Sequence, residues 1–212
     1  MLSYSWPFAV WGIFGWAHMS CALWSLQAFH GAEVVAAFSV MSQLAVFPLV
    51  FGSTFLSTLF LPIAFHRAGD MENSERVGSA HKILGYMTGM YIAGALVIIL
   101  VFSFLHHSLL QVISNTRFTG FSYLLPWLTA AWMLYYLGQV LSSFGFLANQ
   151  SRCYIGPKLV SATIAGISTF YLSGKIGPVG VVCGLAVAGF VYMIWCAEIV
   201  RKLVSRQQYC AD

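Results

Sequence analysis

The chain has 212 residues, of which 59% are hydrophobic and only 8% are charged, and its net charge is +4. Because a water-soluble domain carries roughly 25% charged residues, this composition excludes a soluble protein and predicts one that lies in a lipid bilayer. The positive charge indicates no nucleic-acid partner, since orientation in the membrane and attraction to anionic membrane lipid account for it.

Six apolar segments, each able to cross the hydrocarbon core, follow one another along the chain. They cover residues 7–29, 34–65, 83–105, 123–147, 158–173 and 178–200. They predict an all-α, polytopic integral membrane protein in which residues 1–212 form one six-transmembrane-helix bundle. The second segment would extend about 48 Å as a helix, so we expect it to tilt, or to kink near Pro48 and Gly52. The fifth is short and rich in Ser and Thr, and a five-span protein is the alternative.

The basic residues between the segments are unevenly divided between the two sides of the predicted bundle. With six crossings, both termini share one side with Arg67, Arg76, Lys82, Arg152, Lys158, Arg201, Lys202 and Arg206. The opposite side holds Arg117 and Lys175. Because basic residues concentrate in cytoplasmic loops, we predict that both termini lie in the cytoplasm.

Small residues recur at four-residue intervals in three of the segments. Such spacing puts them on one helix face, where they allow two helix backbones to approach closely in lipid. We therefore predict helix-packing faces at Gly85, Gly89 and Ala93, at Ala162 and Gly166, and at Gly180, Gly184 and Ala188.

Motifs of catalysis, metal binding and phosphate binding are absent from the sequence, so we expect no enzyme, no cofactor and no metal site. His106 and His107 are adjacent, but no carboxylate or Cys stands near them to complete a metal site. Within the segments, the polar candidates for lining a hydrated cavity are His18, Gln27, Gln43 and Gln139. Hydrogen bonding between helices is the alternative role for each of them.

Three stretches of the chain, in order, resemble one family of transporters. They are "HGAEVVAAFSVMSQLAVFPLVFGSTFLSTLFLPIAFHRAGD", with Leu61, Pro62 and Arg67 near its end, "NQSRCYIGPKLVSATIAGISTFYL" and "KIGPVGVVCGLA". They are similar to the eighth, eleventh and twelfth helices of the bacterial polysaccharide (O-antigen and exopolysaccharide type) flippases. That family belongs to the multidrug/oligosaccharidyl-lipid/polysaccharide exporter superfamily.

The resemblance implies a function in lipopolysaccharide or exopolysaccharide synthesis. It implies transport of a polyprenyl-pyrophosphate-linked oligosaccharide across the bacterial inner membrane by alternating access between two six-helix lobes. This chain resembles the carboxy-terminal lobe, and its first residues lack the basic flank of a first span, so we expect it to need the amino-terminal lobe or a second copy. Where family members commonly carry an Asp-Arg pair, this chain has Ala22 and Leu23. That departure puts a charge-based role for the first segment in doubt.

Two other functions stay open at this point. One is half of a drug or cation antiporter of the same superfamily, although such a protein would need an acidic residue within the membrane. The other is a membrane protein that does not transport and only binds partners of the envelope-polysaccharide machinery.

Overall fold

The computed structural model describes residues 2–69, 74–114 and 116–209, and these residues form helices and short connections without a β-strand. The side chains of Arg117 and Arg206, which the charge count includes, lie outside the described part. The long helices are α1 (Leu2–Ala68), α2 (Ser74–Ser114), α3 (Leu125–Leu147), α4 (Ile155–Ile176) and α5 (Pro178–Tyr209). Two 3₁₀ segments, Thr116–Leu124 and Ser151–Tyr154, precede α3 and α4.

All five long helices of the described chain contain a stretch that is long and apolar enough to cross a membrane. The shortest of these stretches, Leu124–Leu147, has 24 residues, whereas a span needs about 20. Large apolar side chains also cover the outside of the bundle, among them Phe104 at 81% exposure and Phe47 at 73%. The length of the apolar helices and the apolar side chains on the outside of the bundle thus both support the prediction of an all-helical membrane protein.

Helix α1 doubles back on itself at Gly31. Gly31 has φ 77° and ψ 177°, a conformation that suits glycine because it has no Cβ. A straight helix would put Trp11 and Leu61 about 75 Å apart, yet both line the same cavity. We call residues 2–30 the first arm and residues 32–68 the second arm. The second arm keeps helical dihedral angles through Pro48 and Gly52, and the break at Gly31 lies between the first two predicted segments.

Contacts along the first arm give its direction within the bundle. The Trp11 ring lies 5.5 Å from the Phe146 ring near the end of α3, and the His18 ring lies 5.7 Å from Trp132, further back along α3. At the far end of the arm, His30 Nε2 lies 2.9 Å from the carbonyl oxygen of Ser173 in α4. The first arm is therefore antiparallel to α3 and parallel to α4.

The glycine-rich face of α5 packs directly against α4. A Cβ added to Gly184 would lie 2.9 Å from the backbone nitrogen of Thr169, and one added to Gly180 would collide with the carbonyl of Leu172. Ser161 donates across the contact to the carbonyl of Ala188 at 3.1 Å. Ser168 Oγ lies 2.6 Å from the carbonyl of Ile164 in its own helix and 3.2 Å from that of Gly184 across the contact. The two helix backbones thus approach closely because α5 has no side chain between them.

The face of α2 that carries Gly85 and Gly89 has the same glycine spacing as α5 but a different environment. Gly85 and Gly89 are exposed, and a Cβ added to either would have no described neighbour within 4 Å. Within the described residues this face lies on the outside of the bundle, so it contributes no helix contact inside this chain.

Candidate functional site: a hydroxyl-lined groove and a caged lysine

An open groove of about 510 Å³ lies between the second arm of α1 and α3. Its polar lining includes the hydroxyl groups of six Ser and Thr residues, one amide and the hydroxyl of Tyr136. The Ser, Thr and amide residues are Ser53, Thr54, Ser57, Thr58, Gln139, Ser142 and Ser143. These positions fall within the apolar stretches of the two helices. The groove is therefore a polar surface at membrane depth, where lipid offers no hydrogen-bond partners.

Three of the groove hydroxyls donate to carbonyl oxygens of their own helix. Ser53 donates to Val50 at 2.9 Å, Thr58 to Thr54 at 2.8 Å and Ser142 to the carbonyl of Gln139 at 2.6 Å. A hydroxyl has one proton and two lone pairs, so these oxygens keep accepting capacity after their proton is used.

Aromatic rings complete the lining of the groove. Trp11, Tyr136 and Phe146 contribute to it, with Trp11 and Phe146 in an edge-to-face arrangement. The groove thus combines hydroxyl groups with flat apolar faces.

Behind Trp11 lies a buried ammonium group, that of Lys158. Lys158 is only 2% exposed. Its Nζ lies 4.3 Å from the ring centroid of Tyr135 and 5.1 Å from those of Trp11 and Tyr192. Ring faces attract cations, and the attraction grows where water is excluded. We call these three rings the aromatic cage.

A glycine makes room for the cage on α3. A Cβ at Gly138 would lie 2.5 Å from Tyr192 Cδ1, so a larger residue would push the tyrosine out of place. On the first arm, a Cβ at Gly15 would lie 3.5 Å from Lys158 Cε, which is an ordinary contact distance. The cage therefore depends on the absence of a side chain at Gly138.

No described carboxylate balances the charge of Lys158. Glu33 follows the break in α1, Glu75 lies in the first turn of α2, and Glu198 bonds to Arg201 at 2.8 Å. Glu33 and Glu75 are exposed, and Glu198 is partly exposed. An ammonium without a counter-ion inside a membrane bundle is costly, and such residues in membrane proteins mark functional sites by default.

The cage also contains three buried polar groups that lack a hydrogen bond of good geometry within the described chain. They are the Trp11 indole nitrogen and the Tyr135 and Tyr192 hydroxyls. Buried polar groups are nearly always paired in proteins. Together with the ammonium, these groups form a cluster of donors that an anion would satisfy.

The burial of Lys158 corrects one sequence-based interpretation. The charge count places the residue in a loop on the side of the termini, but α4 begins at Ile155 and holds Lys158 inside the bundle. A signal was present, because Lys158 shares one helix face with Ser161, Ala165 and Thr169, all of which are buried.

The four polar residues predicted to line a cavity have different surroundings. Gln139 is half-buried and lines the groove. Gln27 and Gln43 are exposed on the outside of α1. His18 is buried, stacks on Tyr135 with 4.2 Å between ring centroids, and has Nδ1 3.3 Å from Ser161 Oγ. The groove hydroxyls of the second arm, Ser53 to Thr58, were missed by the sequence analysis.

Comparison of the chain with protein-family models, curated proteins and solved structures gives no match.

Proposed function

We propose that this chain is the carboxy-terminal half of a polysaccharide-export flippase, which moves a polyprenyl-pyrophosphate-linked oligosaccharide across the bacterial inner membrane. The observation that carries the proposal is the groove. In lipid, the groove hydroxyls could satisfy only the carbonyls of their own helices, whereas a hydrated path or a sugar would also satisfy their remaining lone pairs. The groove therefore supports a role as one wall of a path for a polyhydroxylated substrate.

The caged lysine supports the same proposal because its chemistry suits the pyrophosphate part of the substrate. A pyrophosphate carries negative charge that needs Lys or Arg and N–H or O–H donors when it leaves water. Lys158 and the unpaired donors of the aromatic cage have this chemistry. Trp11 lies between them and the groove, since it lines the groove and also contacts the ammonium. In the proposed mechanism, a shift of the first arm moves Trp11 aside during alternating access and exposes Lys158 to the headgroup.

The proposed topology has six crossings, with one from each arm of α1 and one from each of the other helices. The reversal at Gly31 supports this count, and with six crossings we propose that both termini lie on the cytoplasmic side. The end of the bundle that contains Trp11 carries most of the basic residues. Lys175 lies at the opposite end, near His30.

Cysteine labelling tests this topology. In a variant without native cysteines, Asn149→Cys is expected to react with an impermeant maleimide only in inverted vesicles. Lys175→Cys is expected to react only in intact cells, because the two residues lie at opposite ends of the bundle. Labelling of Asn149→Cys from outside the cell would contradict the orientation.

The open side of the groove supports a partner in the membrane. One six-helix lobe gives only one wall of a path, so the proposal includes a second wall, from an amino-terminal six-helix lobe or a second copy of the chain. A drug or cation antiporter fits less well, because the groove lining offers hydroxyls and aromatic rings and the nearby charge is a cation. Complementation, described next, distinguishes the proposed half-flippase from a membrane component that does not transport.

Complementation tests the proposed function. We expect residues 1–212 alone to leave a flippase-deficient strain without surface polysaccharide, because a single wall cannot enclose the substrate. Co-expression with an amino-terminal lobe of a polysaccharide flippase is expected to restore the polymer, and an intact twelve-span flippase is the positive control. Restoration by the short chain alone would refute the need for a partner. Failure with every lobe tried, at matched expression, would favour the non-transporting component.

A further inference from the structure

We infer that His18 is a proton-operated switch, which opens the amino-terminal half of the first arm when the medium becomes acidic. Its imidazole has a buried basic nitrogen close to the caged ammonium, and a proton on that nitrogen is poorly accommodated until the arm moves. The switch is a property of this chain by itself, so it exists or fails independently of the proposed transport.

A short chain of hydrogen bonds fixes which nitrogen of His18 carries the hydrogen. Ser161 has one hydroxyl proton and donates it to the carbonyl of Ala188 at 3.1 Å. Its Oγ therefore accepts from His18 Nδ1 at 3.3 Å, and Nε2 is left as the basic nitrogen of the neutral ring. His18 is 1% exposed, and its Nε2 makes no hydrogen bond within the described chain. A proton bound there would have no described acceptor.

The surroundings of His18 disfavour a second positive charge while the arm is closed. The His18 ring lies 4.2 Å from the Tyr135 ring centroid, and Lys158 Nζ lies 4.3 Å from the same centroid. The other titratable side chains of this cluster, two from α5 and one from the first arm, are Tyr192, Cys196 and Cys21. No described carboxylate is among them. An imidazole is the one such side chain whose charge ordinarily changes between pH 5 and 8. Protonated His18 would therefore meet the ammonium without a counter-ion or water.

Packing along the first arm shows which part is able to move. No side chain of residues 9–17 is buried, whereas the following part of the arm contains the buried residues His18, Cys21, Ala22, Ser25 and Leu26. The far end is held by the bond between His30 and the Ser173 carbonyl at 2.9 Å. Segments with few buried contacts open at the lowest free-energy cost. The half that carries Trp11 is therefore the part that opens, and its movement admits water to His18.

Proton binding then favours the open arm. The closed arm keeps His18 neutral, whereas the open arm lets it bind a proton as a hydrated imidazole does, near pH 6.5. The open form thus binds more protons than the closed form, so opening becomes easier as the pH falls. Between pH 7.5 and pH 5.5 this linkage raises the population of the open form about tenfold.

The native cysteines report this opening without a transport assay. The full-length chain is placed in nanodiscs and labelled with N-ethylmaleimide, and mass spectrometry gives the rate at each cysteine. Cys196, one turn beyond Tyr192 on α5, is fully buried, Cys21 is buried in the packed half of the arm, and Cys153 is exposed. We expect the rate at Cys196, divided by the rate at Cys153 in the same sample, to rise about tenfold from pH 7.5 to pH 5.5. The corresponding ratio for Cys21 should change by less than about twofold, because its surroundings stay packed.

Two substitutions identify the group that binds the proton. His18→Asn keeps an N–H group that can donate to Ser161 but does not titrate, so the ratio at Cys196 should become independent of pH. His81→Asn on α2 removes another histidine whose Nε2 is buried without a partner in the described chain, and it should keep the pH response. A response retained in His18→Asn would assign the titration to another group and overturn the switch.

The parent chain alone also tests the switch. A pH-independent ratio at Cys196, or an equal rise at Cys196 and Cys21, would overturn it, because the second result indicates loosening of the whole bundle. This comparison needs no substitution, so the test remains decisive even if His18→Asn does not fold.

Discussion

Gly184→Leu is expected to prevent α4 and α5 from packing and to remove most of the folded protein recovered in mild detergent. The position of the missing Cβ is already 2.9 Å from the Thr169 nitrogen and 3.0 Å from Ser168 Oγ, so a leucine would force the two backbones apart. The displacement would also break the Ser161 bond to the Ala188 carbonyl. Overpacking of a core costs about 1–3 kcal/mol and more where backbone must move. Recovery and thermal stability would be measured by fluorescence-detected size-exclusion chromatography.

Two matched controls make the test specific. Gly85→Leu changes a glycine on the equivalent pattern of α2, where a Cβ has open space. Val187→Leu changes an exposed residue one turn from Gly184 on the same helix. Both are expected to keep recovery and melting temperature close to those of the parent. Equal loss for Gly184→Leu and Gly85→Leu would contradict the burial of one face and the exposure of the other.

These two glycine patterns illustrate how much of the fold the sequence could predict. Apolar length identified the membrane helices, since the bilayer requires about 20 apolar residues for each crossing. Four-residue spacing of glycines shows that a face is able to pack closely, but it carries no information about the partner. Gly184 meets α4, whereas Gly85 meets no described atom within 4 Å of its missing Cβ. The partner depends on tertiary arrangement, which spacing alone cannot supply.

The candidate site was harder to predict than the fold, for two physical reasons. Ser53 and Thr58 satisfy their own helix carbonyls, so hydroxyls are tolerated in a span and give no sequence signal of a groove. Lys158 stands near a helix end, where a lysine is ordinarily hydrated and snorkels toward water. Its burial depends on Tyr135 and Tyr192, which come from two other helices. Gln139 was recognisable as an amide inside a span, but Gln27 and Gln43 give the same sequence signal and lie exposed on the outside of α1.

Lys158→Met is expected to leave the protein folded and to abolish transport with the complementary lobe. Methionine is unbranched, of similar length and apolar, so it can occupy the space among the three rings. Replacement of a buried ionic group by a packed apolar one is often neutral or stabilising. The melting temperature should therefore stay at or above that of the parent. Uptake of lipid-linked oligosaccharide into inverted vesicles should fall by more than about tenfold, because the headgroup loses its cation.

Lys175→Met is the matched control for this substitution. Lys175 also lies over a tyrosine ring, 4.5 Å from the centroid of Tyr171, but it is exposed and lies at the opposite end of α4. We expect its replacement to change neither stability nor uptake by more than about twofold, since exposed charge contacts contribute little.

Lys158→Arg keeps the charge and is expected to retain part of the uptake, limited by the larger guanidinium in the cage. If Lys158→Met lowers the melting temperature strongly while uptake per folded protein is unchanged, Lys158 joins the helices and does not bind the headgroup. Stability and uptake are measured on the same sample. If Lys158 joins the helices, Lys158→Met lowers stability and leaves uptake unchanged. If Lys158 binds the headgroup, Lys158→Met lowers uptake and leaves stability unchanged.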